Sequence, residues 1–335
     1  MIEGDKILRQ VYNVAGMGNS VKNKTSSETN IKTRNSLLLG FASVIWGISF
    51  VVQQVGGMEL GAYTFNGLRM LIGALAVYLV TFIFDRKGYS SKPVSSADRR
   101  RLWLTGLACG VFLAIATNLQ QVALNYGGST GKAGFLTAVY ILIVPILGLF
   151  FGTKCGWNVW VSVVIALAGL YFLCIRDTFS LQTPDLLLLG CALTFSFQII
   201  TIDRFGGKCD SLRLSAIEFL VTGIISMIPA LIFEIVPYEG GMGQWITLFT
   251  SGKVWFTLLY MGCLSCAVGY TLQIIGMRGL NPTVASLLMS LESVFALLAG
   301  VVFLKQTMSG RELFGCLLMF AAIVISQISF NRRSS

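Results

Sequence analysis

The sequence predicts an all-α membrane protein, with ten transmembrane helices arranged as two inverted five-helix repeats. Three observations predict it. Of 335 residues, 55% are hydrophobic and 12% charged, with a mean hydropathy of +0.75, and that charged fraction is about half of what a soluble domain carries. The apolar residues fall into ten runs, each near the ~20 residues a helix needs to cross the hydrocarbon. The two halves of the chain also match one another at a constant offset of 152 residues.

The net charge of +10 would by itself fit a nucleic-acid binder. The Lys and Arg lie in short segments between apolar runs, however, where orientation in a bilayer puts them. Histidine is absent, which removes the commonest general base and metal ligand. A soluble enzyme, a nucleic-acid binder and a secreted disulfide scaffold are thereby excluded, and the lipid bilayer is the first partner.

Residues 1–34 are rich in Asn, Ser, Thr and Lys and end in Ile31-Lys32-Thr33-Arg34. They carry too little apolar surface to fold and read as a disordered cytoplasmic tail. A start at Met17, giving a shorter leader, is the alternative. The first apolar run is too long for a signal-peptide core and no small-residue cleavage site follows it, so it reads as a retained helix. The ten spans cover 36–56, 61–84, 102–125, 129–151, 157–175, 184–202, 212–236, 253–277, 282–304 and 312–330. Tight connections at Gly56-Gly57, Gly127-Gly128, Lys154-Cys155-Gly156 and Asn281-Pro282 separate them, and the longest are 85–101 and 237–252. The first repeat is 35–176, the second 183–330, and 331–335 is a basic C-terminus. With the N-terminus inside, nineteen Lys and Arg fall on the cytoplasmic side, four on the other and two within spans. That asymmetry puts both termini in the cytoplasm, in the cell membrane. The eight cysteines are irregularly spaced; Cys263 and Cys266 form a CxxC with no second pair, so they read as small apolar packing residues rather than zinc ligands. Gly106, Gly110 and Ala114 read as close helix packing.

The offset of 152 lays Trp103 on Trp255, Gln121 on Gln273, Gly127 on Gly279 and Gly148 on Gly300. Apolar matches come cheaply in such a chain, but Trp, Gln and Gly at one offset do not. Five spans per copy is odd, so the copies lie in opposite orientations, a recurrent device of secondary transporters.

Trp46-Gly47-Ile48-Ser49-Phe50-Val51 and Tyr63-Thr64-Phe65-Asn66-Gly67-Leu68-Arg69 resemble the first two helices of EamA-type permeases of the drug/metabolite transporter superfamily. Ala133-Gly134-Phe135-Leu136-Thr137 and Ser290-Leu291-Glu292-Ser293-Val294-Phe295-Ala296 are similar to its fourth and ninth helices. The resemblance covers about 36–330. Relatives often end the ninth helix in Leu-Gly-Glu, where this chain has Leu304-Lys305-Gln306. The resemblance implies export or exchange of small metabolites, with a small-molecule substrate.

Of the charged residues only Arg69, Lys132, Glu218 and Glu292 lie clearly inside spans. Each costs at least about 2.5 kcal/mol in hydrocarbon unless solvated or paired, so each is a functional candidate. Lys132 is close enough to its helix end to snorkel to water. Arg69 and Glu218 occupy corresponding places in the two repeats but at opposite depths, as structural clamps or gating residues. Glu292 is about ten residues into its span, about 15 Å along the axis, and its repeat counterpart is Tyr140. A carboxyl group at that depth can alternate between neutral and charged forms as water reaches it, which makes Glu292 the candidate for coupling to protons. A Glu hydrogen-bonded in the packing is the bland alternative.

Polar side chains share helical faces: Asn118, Gln121 and Asn125 in the third span; Thr194, Gln198 and Thr201 in the sixth; Ser43, Trp46 and Gln53 in the first; Tyr270 and Gln273 in the eighth. Any one of them can be glue between helices; together they suggest a cavity for a small polar or zwitterionic solute with an apolar part. The substrate-binding candidates are Trp46, Gln53, Asn118, Gln121, Tyr140, Gln198, Tyr270, Gln273 and Glu292. No Walker loop is present, so ATP is not the direct energy source. Nucleophilic triads lack their His, and no metal or cofactor is expected. The reading is a secondary-active exporter of amino-acid-like or drug-like solutes. Its rivals are an importer or exchanger of nucleotide sugars or phosphorylated metabolites, which calls for a Lys/Arg cluster, an ion channel, and a membrane-embedded transferase, which calls for grouped carboxylates. Substrate identity, direction and oligomeric state stay open.

Overall fold

A computed structural model describes residues 24–88, 93, 95–126, 130–153, 155–175, 182–304 and 308–327. The expectations for residues 1–23, for Lys305-Gln306, for the side chain of Lys132 and for 331–335 lie outside the described residues. The described chain is all α-helical. Its helices are α1 (Lys24–Leu60), α2 (Ala62–Arg86), α3 (Ser96–Asn125), α4 (Thr130–Ala138), α5 (Tyr140–Phe150), α6 (Trp157–Cys174) and α7 (Thr183–Phe205). There follow α8 (Ser211–Ala230), α9 (Gly241–Thr247), α10 (Gly252–Leu259), α11 (Thr271–Gly276), α12 (Pro282–Met289), α13 (Glu292–Leu304) and α14 (Gly310–Gln327). Nine helical stretches among the described residues are long and apolar enough to cross a membrane. The protein is an all-α multi-pass membrane protein.

Local chemistry sets the starts of these helices. Ser95 caps α3 by accepting from Asp98 N at 3.0 Å, and Asp210 caps α8 by accepting from Arg213 N at 2.9 Å. Asn281 caps α12 at Thr283 N, 2.9 Å, ahead of Pro282, whose missing N–H costs nothing in a first turn. The start of α2 is different. Gly61 takes φ +91° there, a conformation open to glycine, and the carboxylate of Glu234 reaches across to accept from Tyr63 N at 3.0 Å and Thr64 N at 2.7 Å.

Three expectations are corrected. The polar segment 24–34 is not disordered: α1 begins at Lys24, and Asn35 is fully buried where its Nδ2 donates to Arg278 O at 2.6 Å. The fourth span is two helices, broken at Val139, where Leu142 N bonds Val139 O at 2.9 Å in a tight turn. Pro145 adds to the break by leaving the Ile141 carbonyl without its helical donor. The ninth span is likewise broken, at Ser290-Leu291. Ser290 Oγ donates back to Leu287 O at 2.8 Å and Ser293 N bonds Ser290 O at 3.2 Å, so Glu292 opens a helix instead of sitting in the middle of one. The eighth span also departs from a uniform helix, with a π-helical stretch from Tyr260 to Tyr270 between α10 and α11.

Helix α2 packs on α8, α3 on α7 and α8, and α1 on α13 and on the π-helical stretch. Helix α5 packs on α12, and α4 on α13. Helices α6 and α14 pack along their lengths; a Cβ on Gly315 would lie 2.7 Å from the Gly169 carbonyl, so the two glycines let these backbones touch. Large apolar side chains such as Leu75, Tyr78, Phe150, Trp157 and Phe233 face outward, as lipid contact requires. Polar contacts gather at the two ends of the bundle. Arg213 forks onto Asp85 at 2.6 and 2.7 Å, and Arg278 donates to Cys209 O at 2.6 Å. At the other end, Lys253 pairs with Glu59 at 2.6 Å near the Glu234 cap of α2.

Candidate functional site

Between these helices lies a cavity with about 50 Å³ open to the centres of water molecules, room for a few waters. Its wall joins residues far apart in sequence. Helix α1 supplies Trp46, Ser49, Phe50 and Gln53; α2 supplies Arg69; α3 supplies Gln120; and Thr137 and Tyr140 flank the Val139 break. Phe195 and Ile199 come from α7, Ser265 and Tyr270 from the π-helical stretch, Gln273 from α11, and Met289 and Glu292 flank the second break.

The breaks position two of these groups. Tyr140 is the first residue of α5 and Glu292 the first of α13, so each stands where a helix turns inward. Glu292 is 7% exposed and makes no hydrogen bond to any described residue. The carboxyl group faces the cavity bare.

Arg69 is the cation of the wall and is 3% exposed. Its Nε and Nη2 donate to Asn66 Oδ1 at 2.9 and 2.8 Å, its Nη1 donates to Gln53 Oε1 at 3.1 Å, and its guanidinium lies 5.8 Å from the Phe65 ring. No carboxylate pairs with it among the described residues, and two of its five N–H groups remain for a ligand. Asn66 is held by Thr117, Asn118 and Ser226 at 3.0, 2.8 and 3.1 Å. This polar cluster orients the guanidinium from behind.

Trp46 is fixed by the irregular backbone opposite it. Its Nε1 donates to Ser265 O at 3.2 Å, and its ring sits 4.9 Å from that of Tyr270. The π-helical turn shifts the hydrogen-bond register and presents that carbonyl, so a Trp far from the interface has its N–H satisfied.

Of the substrate-binding candidates, the structure brings Trp46, Gln53, Tyr140, Tyr270, Gln273 and Glu292 to the cavity and adds Arg69. Three stand behind the wall instead. Asn118 belongs to the Asn66 cluster. Gln121 ties α3 to α1, donating to Gln53 O at 3.2 Å and to Asn125 Oδ1 at 3.0 Å. Gln198 lies between Glu218 and Gln273. Its helical neighbours Thr194 and Thr201 bond their own backbone at Gly190 and Phe197. Gln120, absent from the sequence candidates, takes the place expected of Gln121: it accepts from Gln53 Nε2 at 3.1 Å and donates to Thr137 Oγ1 at 3.2 Å. Helical spacing puts Gln120 on a different face from Asn118 and Gln121, but spacing alone carries no signal for which face meets the cavity. Cys263 and Cys266 are free thiols, and among the described residues no group of three metal-binding side chains exists.

Apolar helices closed around a small polar cavity, with a cation and a carboxyl group left unpaired in its wall, define a membrane transporter of small solutes. The chain belongs to the EamA-like transporter family, whose profile matches residues 34–175 and again 182–327, and with it to the drug/metabolite transporter superfamily. This family transports and does not catalyse, so the protein is a transporter and not an enzyme. It is 25% identical over 306 residues to an uncharacterized transporter of Archaeoglobus fulgidus, covering 91% of this chain and 89% of that one. Over 240 residues it is 26% identical to the threonine/homoserine exporter RhtA of Salmonella typhimurium, covering 66% of this chain and 75% of that one. A crystal structure with 18% identity shares the fold, with a TM-score of 0.69 over 87% of this chain and 96% of that one.

Proposed function

We propose that the protein is a secondary-active exporter of small zwitterionic, amino-acid-like solutes, working by alternating access with protons coupled at Glu292. The observation that carries this reading is the pair of opposite ionisable groups in one wall. Among the described residues Arg69 has no carboxylate and Glu292 has no hydrogen-bond partner, although an uncompensated buried charge costs several kcal/mol. A zwitterion supplies both partners: its carboxylate reaches the remaining guanidinium N–H groups and its ammonium reaches the carboxylate. Trp46, Phe50, Tyr140 and Tyr270 offer apolar surface to its side chain. RhtA, a relative named for exporting threonine and homoserine, supports a solute of this class. Among the described residues, Arg69 is the only cation lining the cavity, which favours one carboxylate over a phosphorylated solute.

The same reading assigns ten spans, α14 being the last, in repeats 35–176 and 183–330 with inverted orientation. The double match of the family profile supports the two units. The packing supports the inversion: α5 on α12 together with α4 on α13 crosses the halves of the fourth and ninth spans head to tail, and both spans break one residue before the counterparts Tyr140 and Glu292.

The test is counterflow in proteoliposomes with radiolabelled L-threonine, challenged by analogues lacking either the ammonium or the carboxylate. Threonine exchanges, and each deletion reduces competition at least tenfold, the loss of one hydrogen-bonded charge contact of about 1.5–3 kcal/mol. Competition by either analogue as strong as that of threonine itself, or preference for a sugar phosphate, would overturn the zwitterion site.

A further inference from the structure

Glu218 stays outside the cavity wall, yet it is fully buried on α8. Its Oε1 accepts from Gln198 Nε2 at 2.8 Å, while Oε2 has no hydrogen bond. Gln198 Oε1 in turn accepts from Gln273 Nε2 at 3.1 Å. Gln273 lines the cavity, and its Oε1 is buried without a partner. Three side chains from three helices thus run unbroken from a buried carboxyl group to the solute cavity.

We propose that Glu218 is a second proton-binding site, and that its protonation reverses the Gln198 and Gln273 amides and turns the cavity end of this chain from acceptor into donor. The polarity of the chain follows from its anchor. A carboxylate only accepts, so the NH2 of Gln198 must face it; Gln198 then offers its oxygen to Gln273, and Gln273 is left with a free oxygen. Once water delivers a proton, the carboxylic acid can donate. It donates to Gln198 Oε1, Gln198 donates to Gln273 Oε1, and Gln273 is left with free N–H groups. One proton moves, from water to the carboxylate. The amides only rotate by half a turn about their last torsion, and their nearly equal ends occupy the same space afterwards.

The other half of the molecule holds a chain of the same build that cannot reverse. Arg69 on α2 donates to Gln53 on α1, Gln53 to Gln120 on α3, and Gln120 to Thr137. A guanidinium has no acceptor and keeps its proton, so this chain has a fixed direction. The groups around Glu218 leave it free to switch. Its titratable neighbours are Cys109 of α3 and Tyr270 of the π-helical stretch, α7 offers the Gln198 amide, and the Arg69 guanidinium of α2 is committed to Asn66 and Gln53. Among the described residues no ion pair holds Glu218 in its charged form. For a zwitterion in the cavity, the acceptor state favours the ammonium and the donor state the carboxylate. That consequence rests on the solute reading above; the proton switch itself does not.

Infrared difference spectra between acid and alkaline pH test it on the full chain in liposomes with no solute added. They are recorded in the Glu292→Gln background, which removes the band of Glu292. We expect a protonated-carboxyl band and a shift in the glutamine side-chain carbonyl band that both disappear from the difference spectrum on Glu218→Gln. The bands of the other Asp and Glu residues are common to both variants and cancel between them. Gln198→Leu, or Gln198→Met should the leucine variant not fold, keeps the carboxyl band and abolishes the glutamine shift. A carboxyl difference spectrum left unchanged by Glu218→Gln would overturn the proton site. A glutamine shift that survives Gln198→Leu, or is absent from the parent protein, would overturn the relay. The transport reading fails in a separate flux assay, so the two failures are distinguishable.

Discussion

At the scale of single residues, Glu292 separates coupling from binding. Its carboxyl group opens α13 without a partner, so it can exchange a proton for a solute ammonium as the cavity changes sides. Glu292→Gln preserves the shape and the capacity to hydrogen-bond but removes titration. Proton-driven accumulation in proteoliposomes should therefore disappear while counterflow of labelled L-threonine persists at reduced affinity. Accumulation at the wild-type level in Glu292→Gln would make Glu292 a packing residue. Glu218→Gln should retain proton-driven accumulation, since Glu218 does not line the cavity. It should change only the half-saturation, because it removes the switch that reaches the cavity through Gln198 and Gln273. Gln121 and Gln120 make the complementary pair. Gln121→Leu deletes the bond to Gln53 O and should cost about 1–3 kcal/mol of stability with little change in half-saturation, whereas Gln120→Leu should weaken transport with the smaller thermal shift. The reverse pattern, from melting curves and counterflow on the same preparations, would return Gln121 to the wall. Helical periodicity found the right helix here and the wrong face. Spacings of three and seven residues establish that Asn118, Gln121 and Asn125 share a side, but nothing local says whether that side meets a cavity or the backbone of α1. Arg69 was legible as a costly charge, and its place in the wall emerged only once Gln53 and Asn66 were seen to hold it.

At the scale of elements, the broken helices decide where the site lies. Apolar run length reports a span as one object, so the turns at Val139 and at Ser290-Leu291 left no mark in hydropathy; Pro145 was a local hint for the first and the second has no proline at all. Glycines hold the second break against α1. A Cβ on Gly47 would lie 2.6 Å from Phe295 Cβ and 2.7 Å from both Ala296 N and Glu292 O, and backbone cannot yield the way a side-chain tip can. Gly47→Ala should thus lower stability by about 1–3 kcal/mol and displace Glu292, reducing transport; an unchanged melting temperature and unchanged flux would refute this contact. The α8 cap is testable through pH. Burial raises the carboxyl pKa of Asp210 above the ordinary aspartate range, against the opposing effects of the Arg213 amide and of the Arg213 and Arg278 charges. The folded state therefore binds that proton more tightly than the unfolded chain, so the contribution of Asp210 is fully present below the ordinary aspartate pKa and is lost as pH rises through the raised value. Asp210→Asn keeps a good cap without a charge to desolvate, and melting temperatures should decline less between pH 4 and 7 than in wild type. A steeper decline would mean that attraction to Arg278 outweighs burial.

At the scale of the whole molecule, the sequence carried most of the architecture because a bilayer leaves few options. Helix is the way to satisfy backbone in hydrocarbon short of a closed barrel, so apolar runs translate directly into helices, and nine of the ten expected spans meet the length and hydropathy of a membrane crossing among the described residues. The α1 extension back to Lys24 was missed because its residues are polar, and apolar run length gives no signal there. Orientation is the remaining global property, and side-chain contacts bear on it. Asn35 with Arg278, Arg278 with Cys209, and Asp85 with Arg213 gather four distant segments at one end of the bundle. Glu59 with Lys253, and Glu234 with the start of α2, gather others at the opposite end. The loop count in the sequence, nineteen Lys and Arg against four, leads to the expectation that the first end faces the cytoplasm. Single-cysteine variants on a background stripped of the native thiols convert this into a measurement in intact cells with a membrane-impermeant maleimide. Cysteines placed in 85–101 or appended after Ser335 should stay unlabelled until the membrane is permeabilised, while those in 237–252 should label at once. Labelling of 85–101 from outside would invert the orientation. Labelling of 85–101 and 237–252 together would do more, because an odd number of crossings must separate those two segments if the two halves of the chain are inverted copies.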